Sequence, residues 1–182
     1  MVVPLSRGRD ARRIAAALAG TVAGVLVAAV PAQAALTASL STLTLMATPY
    51  SHQARTTSGA ATLTVADDAA SNLGWNVTLQ SSDLVYSGTF GGTAIPAANL
   101  SVTSAAAPVI VSGQAVDAGG GPKVPGVSPV GTLDTPRKVL EAMATFGNGT
   151  YTQQVGLALL VPGTSAAGTY TATVTTTIGA GP

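Results

Sequence analysis

The sequence predicts an all-β fold, an antiparallel β-sandwich or barrel-like domain with one short helix, following a cleavable signal peptide. Glycine and proline are frequent, at 21 and 11 of 182 residues, which favours short elements joined by turns. Charged residues make up only 8 % of the chain and apolar residues 47 %, so a hydrophobic core is feasible. Several short segments alternate apolar and polar residues with the period of a half-buried strand.

Residues 1–34 have the pattern of a secretory signal peptide. A basic segment, "MVVPLSRGRDARR", precedes an apolar run, "IAAALAGTVAGVLVAAV", and "PAQA" ends in Ala-x-Ala before Ala35. We expect cleavage before Ala35 and a mature β domain over residues 35–182. The residues around Arg12 and Arg13 match twin-arginine export poorly, so general secretory export is favoured over that route. An uncleaved membrane anchor is the alternative.

The clearest strand signal surrounds Trp75, the only tryptophan. In "WNVTLQ", Trp75, Val77 and Leu79 fall on one face of a strand. Near the end of the chain, "YTQQVGLALLVP" and "TYTATVTTTI" predict a hairpin joined by "PGTSAAG".

Two other segments interrupt the strand pattern. "DTPRKVLEAMATFGNG", from Asp134, predicts the short helix, with Pro136 in its first turn and Gly147 as its stop. Residues 113–130 are rich in Gly and Pro and predict a long surface loop.

The charge pattern argues against nucleic acid as a partner. After residue 34, four basic side chains face six acidic ones, and no basic patch interleaved with aromatic residues is present. The chain has no cysteine, so it has neither disulfides nor a thiol for lipid attachment. No sorting signal for covalent attachment to the wall is recognisable, and we expect no membrane contact after signal cleavage.

No catalytic, metal or cofactor constellation stands out. His52 is the only histidine, and in the polar segment "YSHQAR" it is typical of a solvated loop residue. Asp67 and Asp68 lack the further oxygen ligands that calcium needs, and they are typical of a strand end or an Asx-turn. We therefore predict a protein that is not an enzyme and that uses no cofactor or metal.

The segment "LTVADDAASNLGWNVTLQSSDL" resembles the first motif of the WxL-domain family of Gram-positive bacteria. In that family a strand ending in Val-x-Asp leads through a polar turn to Gly-Trp-x-Leu. Val65 and Asp67 match the first part. Gly74, Trp75 and Val77 match the second, with valine where leucine is commoner.

The end of the chain is similar to the closing segment of the same family. A predicted strand ending in Val-Pro is followed by Gly-Thr-Tyr-Thr-Ala, which contains Tyr170, and by a last strand. The second Trp-x-Leu position of many members falls near residues 176–178, where this chain has "TTI". The resemblance covers residues 36–182, with specific agreement at its two ends.

The resemblance implies a secreted protein attached non-covalently to the cell wall at the extracellular surface. Its implied ligand is peptidoglycan or another wall polymer, with other surface proteins as further candidate partners. Binding would combine stacking on an aromatic face with hydrogen bonds from Asn, Thr and Ser. The implied wall-binding motif is Gly74, Trp75, Asn76, Val77 and Tyr170, with Val65 and Asp67 in support.

Alternatives remain at two levels. Trp75 either stacks on the ligand or fills the core, and its shared face with Val77 and Leu79 favours the core. At the level of function, the alternatives are a self-assembling subunit of a surface layer or fibre, and a secreted hydrolase with an unrecognised site. A low-charge, β-rich chain permits edge-to-edge assembly of that kind.

Overall fold

The computed structural model describes residues 35–69, 72–127 and 129–182, and all of them belong to one compact unit. The predicted signal peptide, residues 1–34, lies outside the described residues. The antiparallel all-β class is confirmed.

Eleven strands and one 3-10 turn, Ala97–Asn99, form the described part of the chain. In chain order the strands are β1 Leu36–Leu40, β2 Arg55–Asp67, β3 Trp75–Ser81, β4 Val85–Ser87, β5 Leu100–Ala105, β6 Val109–Gly113, β7 Gly131–Thr132, β8 Arg137–Ala142, β9 Gly149–Val161, β10 Thr169–Thr171 and β11 Val174–Ala180.

The larger sheet is built on two 13-residue strands, β2 and β9, which pair along their whole length from Arg55 opposite Val161 to Asp67 opposite Gly149. Its order is β1-β2-β9-β5-β7, and β6 continues along β9 beyond the end of β5. The buried side chain of Gln153 spans the break between β5 and β6. Its Nε2 donates to the carbonyl of Ala106 at 2.9 Å and to that of Val139 in β8 at 3.2 Å.

The second sheet has the order β11-β3-β8, and β10 pairs with β4 in a separate two-stranded sheet. The inward faces of the two larger sheets share one apolar core. Its buried members include Leu63, Val65, Trp75, Val77, Leu79, Leu100, Val102, Val139, Leu140, Tyr151, Val155, Leu157 and Leu159. The prediction that Trp75, Val77 and Leu79 share a face is confirmed, since all three are fully buried.

The predicted short helix is wrong, because its central segment forms strand β8, Arg137–Ala142. β8 pairs with β3 through a bulge: Leu140 lies opposite Val77 and Lys138 opposite Thr78, so Val139 is an extra residue. Val139 and Leu140 are therefore both buried although they are neighbours. This adjacency hides the alternation of a strand and imitates the apolar stripe of a helix.

The predicted C-terminal hairpin is also wrong. β9 pairs with β2, β5 and β6, whereas the segment after it divides into β10, which pairs with β4, and β11, which pairs with β3. The connection "PGTSAAG" thus carries the chain from the larger sheet to the other two sheets. Local alternation gave the two segments correctly as strands, but it does not indicate which partner each strand pairs with.

The Gly/Pro-rich segment between β6 and β7 contains local order. Asp117 and Gly121 form an isolated bridge, and the Asp117 carboxylate accepts the N–H groups of Gly119 and Gly120 at 2.8 and 2.6 Å. These hydrogen bonds hold the pKa of Asp117 below its ordinary value. Lys123 forms a second bridge to Glu141 in β8, and Gly120 to Pro122 are buried. Part of this segment therefore covers β8, an outer strand of the three-stranded sheet β11-β3-β8.

Within the described residues, no helix is long and apolar enough to cross a membrane.

Candidate functional site

The Trp75 indole is enclosed in the core, with none of its surface exposed. Its Nε1–H donates to the carbonyl of Gly147 at 3.1 Å, and its ring lies 6.3 Å from the ring of Tyr151, tilted by 46°. Gly147 fits against the indole only because it lacks a side chain, since a Cβ there would lie 2.7 Å from Nε1. In this arrangement the indole has no face available for stacking on a ligand, so of the two alternatives for Trp75 the core position holds.

The residues beside Trp75 tie three chain segments together. Gly74 has a φ of +72°, and a Cβ at this position would lie 2.3 Å from the carbonyl oxygen of Ala142 at the end of β8. The Gly74 carbonyl accepts the N–H of Gly181 at 2.9 Å. Asn76 Nδ2 donates to the carbonyl of Gly181 at 2.7 Å. The predicted motif residues Gly74 and Asn76 therefore fix the positions of β8 and of the last residues.

Val65 and Asp67 lie on β2 in the opposite sheet. Val65 is fully buried, and Asp67 closes an Asx-turn in which its Oδ1 accepts the N–H of Ala69 at 3.0 Å. The hydroxyl of Tyr151, opposite Val65 on β9, lies 2.7 Å from the carbonyl oxygen of Gln114 and 3.0 Å from that of Asn148, and these two acceptors share its single proton. Burial, and secondarily the negative charge of Asp67, raises the pKa of Tyr151. Val65 and Tyr151 belong to the same apolar core as Trp75.

Tyr170, the predicted motif residue near the end of the chain, lines a groove. It lies on β10, its ring is 5.3 Å from the ring of Tyr86 on β4, and its hydroxyl donates to the carbonyl of Ala166 at 3.1 Å. The groove beside it has a volume of about 210 Å³. We call it the Tyr50–Tyr170 groove, and its lining residues are Ala47, Thr48, Pro49, Tyr50, Ser51, Gln53, Arg55, Val161, Pro162, Ser165, Ala166, Ala167, Gly168 and Tyr170.

Three chain segments build this groove. The segment before β2 supplies Tyr50, which is 62 % exposed and whose ring meets that of His52 edge-on at 5.2 Å. The turn after β9 supplies the facing wall. It lies close to the first wall because Gly163 has no side chain, since a Cβ there would lie 2.4 Å from the His52 carbonyl oxygen. Tyr170 completes the lining from β10.

The groove lies at one end of the long strands β2 and β9, and the Trp75 side chain packs near their other end. Arg55 lines the groove, whereas Val65, ten residues along the same strand, lies opposite Tyr151, the ring that packs near Trp75. Ten residues of an extended strand span about 33 Å. The structure therefore brings Gly74, Trp75, Asn76 and Val77 together but separates them from Tyr170.

The groove offers ring faces, neutral hydrogen-bonding groups and one positive charge. Tyr50 and Tyr170 supply the aromatic surface, Ser51, Gln53 and Ser165 supply polar groups, and Arg55 is the single charged lining residue. Such a surface can stack on a sugar ring and hydrogen-bond to its hydroxyl groups. The sequence reasoning missed Tyr50, Gln53 and Arg55. The available signal was the cluster "PYSHQAR", in which aromatic and polar side chains are concentrated within a chain of mostly small residues.

In the described part of the chain, no group of three or more His, Cys, Asp or Glu residues is placed to hold a metal ion. Comparison of the whole chain with protein families, with curated proteins and with solved structures finds no match.

Proposed function

We propose that this protein is exported and attaches non-covalently to the bacterial cell wall, with the Tyr50–Tyr170 groove as its contact with wall glycan. It performs no catalysis in this role. The sequence supports the proposal through the signal-peptide pattern of residues 1–34 and the resemblance to WxL domains.

The observation that carries the proposal is the groove itself. Two aromatic side chains of the described residues are largely exposed, Tyr50 and Phe90, and of these Tyr50 lines the groove together with neutral polar side chains. Single contacts of this kind are weak. A polymer that repeats the same sugar compensates in part, because it presents many equivalent sites close together and a chain that leaves one site meets another nearby.

Sedimentation of residues 35–182 with purified, protein-free walls tests the proposal. We expect the chain to pellet with walls at low protein concentration and to remain in solution without them. Replacing Tyr50 by serine should weaken the affinity for walls by about fivefold or more, since stacking of this kind is worth roughly 1 kcal/mol or more.

Phe90→Ser is the matched control, because Phe90 is an aromatic residue with 75 % exposure that does not line the groove. It should bind walls as the parent does. Equal wall binding by Tyr50→Ser and Phe90→Ser would show that the groove is not the contact with wall glycan. No binding by the parent would refute wall attachment.

A second candidate function, edge-to-edge assembly into a surface layer or fibre, is favoured by strand β6. All five of its residues are exposed, among them Val109, Ile110 and Val111, and in the described part of the chain it pairs only with β9. An uncharged, apolar edge strand is a template for pairing with another chain. This candidate requires pelleting without walls that increases with protein concentration.

A further inference from the structure

We propose that Arg55 makes the Tyr50–Tyr170 groove selective for saccharides that carry a carboxylate. The guanidinium binds the carboxylate while the sugar ring lies against Tyr50. The wall as the source of this saccharide rests on the proposed function above and on glycan that has lost its stem peptides, because a stem peptide occupies the lactyl carboxyl group of muramic acid as an amide. The selectivity itself is a property of the groove.

The position of Arg55 is set by the pairing of the two long strands. It is the first residue of β2 and lies opposite Val161 near the end of β9, and both residues line the groove. The strand pairing fixes the backbone of Arg55, and its side chain is exposed. A small anion entering the groove therefore meets a cation that extends from a paired strand.

Arg55 has no competing partner within the described part of the chain. The ion pair found there joins Lys138 to Glu141 at 3.2 Å, and the Arg55 guanidinium makes neither an ion pair nor a hydrogen bond with any described residue. The other lining residues are uncharged. Within the described residues, none of the five N–H donors of this guanidinium is engaged by another protein group.

The arginine fork favours a carboxylate over a neutral hydroxyl. Its planar donors match the two oxygens of a carboxylate in a bidentate pair, and such charge-assisted hydrogen bonds are about twice as strong as neutral ones. A phosphate is also bound by arginine, but phosphate sites usually add backbone N–H groups or further cations. The groove has a single positive charge, which matches the single negative charge of a carboxylate.

Three monosaccharides separate these possibilities in an NMR titration of residues 35–182. N-acetylmuramic acid and N-acetylglucosamine share the same ring, and only the former carries a lactyl carboxylate. N-acetylglucosamine 6-phosphate provides the phosphate. We expect N-acetylmuramic acid to bind at least about tenfold more tightly than the other two sugars, with shifts centred on the groove.

Arg55→Gln should remove this preference and weaken binding of N-acetylmuramic acid by about 10- to 100-fold. Arg55→Lys, which keeps the positive charge but lacks the planar donors of the guanidinium, should give an intermediate affinity. Lys138→Gln is the matched control, because it removes the same charge outside the groove. It should leave the affinity unchanged. Urea midpoints equal to that of the parent show that each variant is folded.

The inference is overturned if the three sugars bind equally, if the phosphate binds most tightly, if none binds in the groove, or if Arg55→Gln retains the preference. Wall sedimentation of the same variants separates this outcome from the proposed function. If the parent and Arg55→Gln pellet equally with walls, wall attachment stands and does not use Arg55, and the monosaccharide titration alone decides the selectivity of the groove. If N-acetylmuramic acid binds through Arg55 but walls do not bind the parent, the groove inference stands and wall attachment fails.

Discussion

Trp75 stabilises the fold from a fully buried position, and Gly74 makes that position possible. Gly74 turns the chain into β3 with a left-handed backbone and lies against the end of β8, so the indole enters the core beside the carbonyl of Gly147. The residues on which a sequence resemblance depends can therefore be residues that stabilise the core. In this chain the residues that mark the resemblance and the residues that face solvent in the groove are different, apart from Tyr170.

The close approach at Gly74 predicts a large cost for a single added methyl group. Gly74→Ala combines left-handed strain, about 1–2 kcal/mol, with a clash against the Ala142 carbonyl oxygen. Gly91→Ala is the matched control, since Gly91 has a similar φ of +66° but has nothing within 4 Å of its Cβ position. In urea unfolding, Gly74→Ala should lose at least about 2 kcal/mol more than Gly91→Ala. Equal losses would contradict the packing described for Gly74.

The raised pKa of Tyr151 predicts a loss of stability at alkaline pH. An unfolded tyrosine releases its proton near pH 10, whereas the buried phenol keeps its proton to a higher pH. Between these two pKa values the folded state binds more protons than the unfolded state, so the free energy of unfolding falls as pH rises. At lower pH both states are protonated and this contribution is fully present.

Tyr151→Phe tests this assignment by unfolding at a series of pH values. At neutral pH it should cost about 1–3 kcal/mol, because the carbonyls of Gln114 and Asn148 lose a donor. Above pH 10 its stability should fall less steeply than that of the parent. Parallel curves for the two proteins would show that Tyr151 does not cause the alkaline loss.

Strand β8 shows which elements a local pattern can predict. The alternation in β3 is regular, so the burial of Trp75, Val77 and Leu79 follows from the sequence alone. In β8 a bulge makes Val139 and Leu140 both face inward. The bulge is defined by the pairing of β8 with β3, which is distant in sequence. No reading of the β8 segment by itself reveals the bulge. The same holds for β9, whose partners are distant in sequence.

Strand β6 predicts how the protein behaves at high concentration. Its exposed valines, Val109 and Val111, contribute little to the core, so replacing both by lysine should change the free energy of unfolding by no more than about 0.5 kcal/mol each. Lysine on an edge strand hinders pairing with another chain. Any concentration-dependent pelleting of the parent should therefore decrease in the double variant.

Val127→Lys provides the control for added charge, since Val127 is exposed outside any strand. It should not change pelleting. If the control suppresses pelleting as strongly as the β6 variant does, net charge rather than the strand edge governs association.

At the scale of the whole molecule, the two long strands separate the core around Trp75 from the groove that we propose as the binding site. One end of β2 and β9 supports Trp75 and Tyr151, and the other end forms two sides of the Tyr50–Tyr170 groove. The all-β class followed from composition and alternation. The groove could not be predicted in the same way, because its lining comes from three segments that meet only through the pairing of β2 with β9 and of β10 with β4.

This separation predicts opposite effects for two variants. Trp75→Phe removes buried atoms and leaves the Gly147 carbonyl without its donor, so it should destabilise the fold by about 2–3 kcal/mol. Since the indole packs near the opposite end of β2 and β9 from the groove, the folded variant should bind walls with the affinity of the parent. Tyr50→Ser should do the reverse, because Tyr50 is exposed and lies outside the core cluster.

The most direct measurement is therefore the wall affinity of Trp75→Phe and Tyr50→Ser, each determined beside its urea unfolding curve under conditions where both are folded. The account predicts that Trp75→Phe loses stability and keeps its affinity, while Tyr50→Ser keeps stability and loses affinity by about fivefold or more. The account would be contradicted if folded Trp75→Phe lost affinity while Tyr50→Ser bound walls as the parent does. Wall binding would then depend on Trp75 and not on the groove.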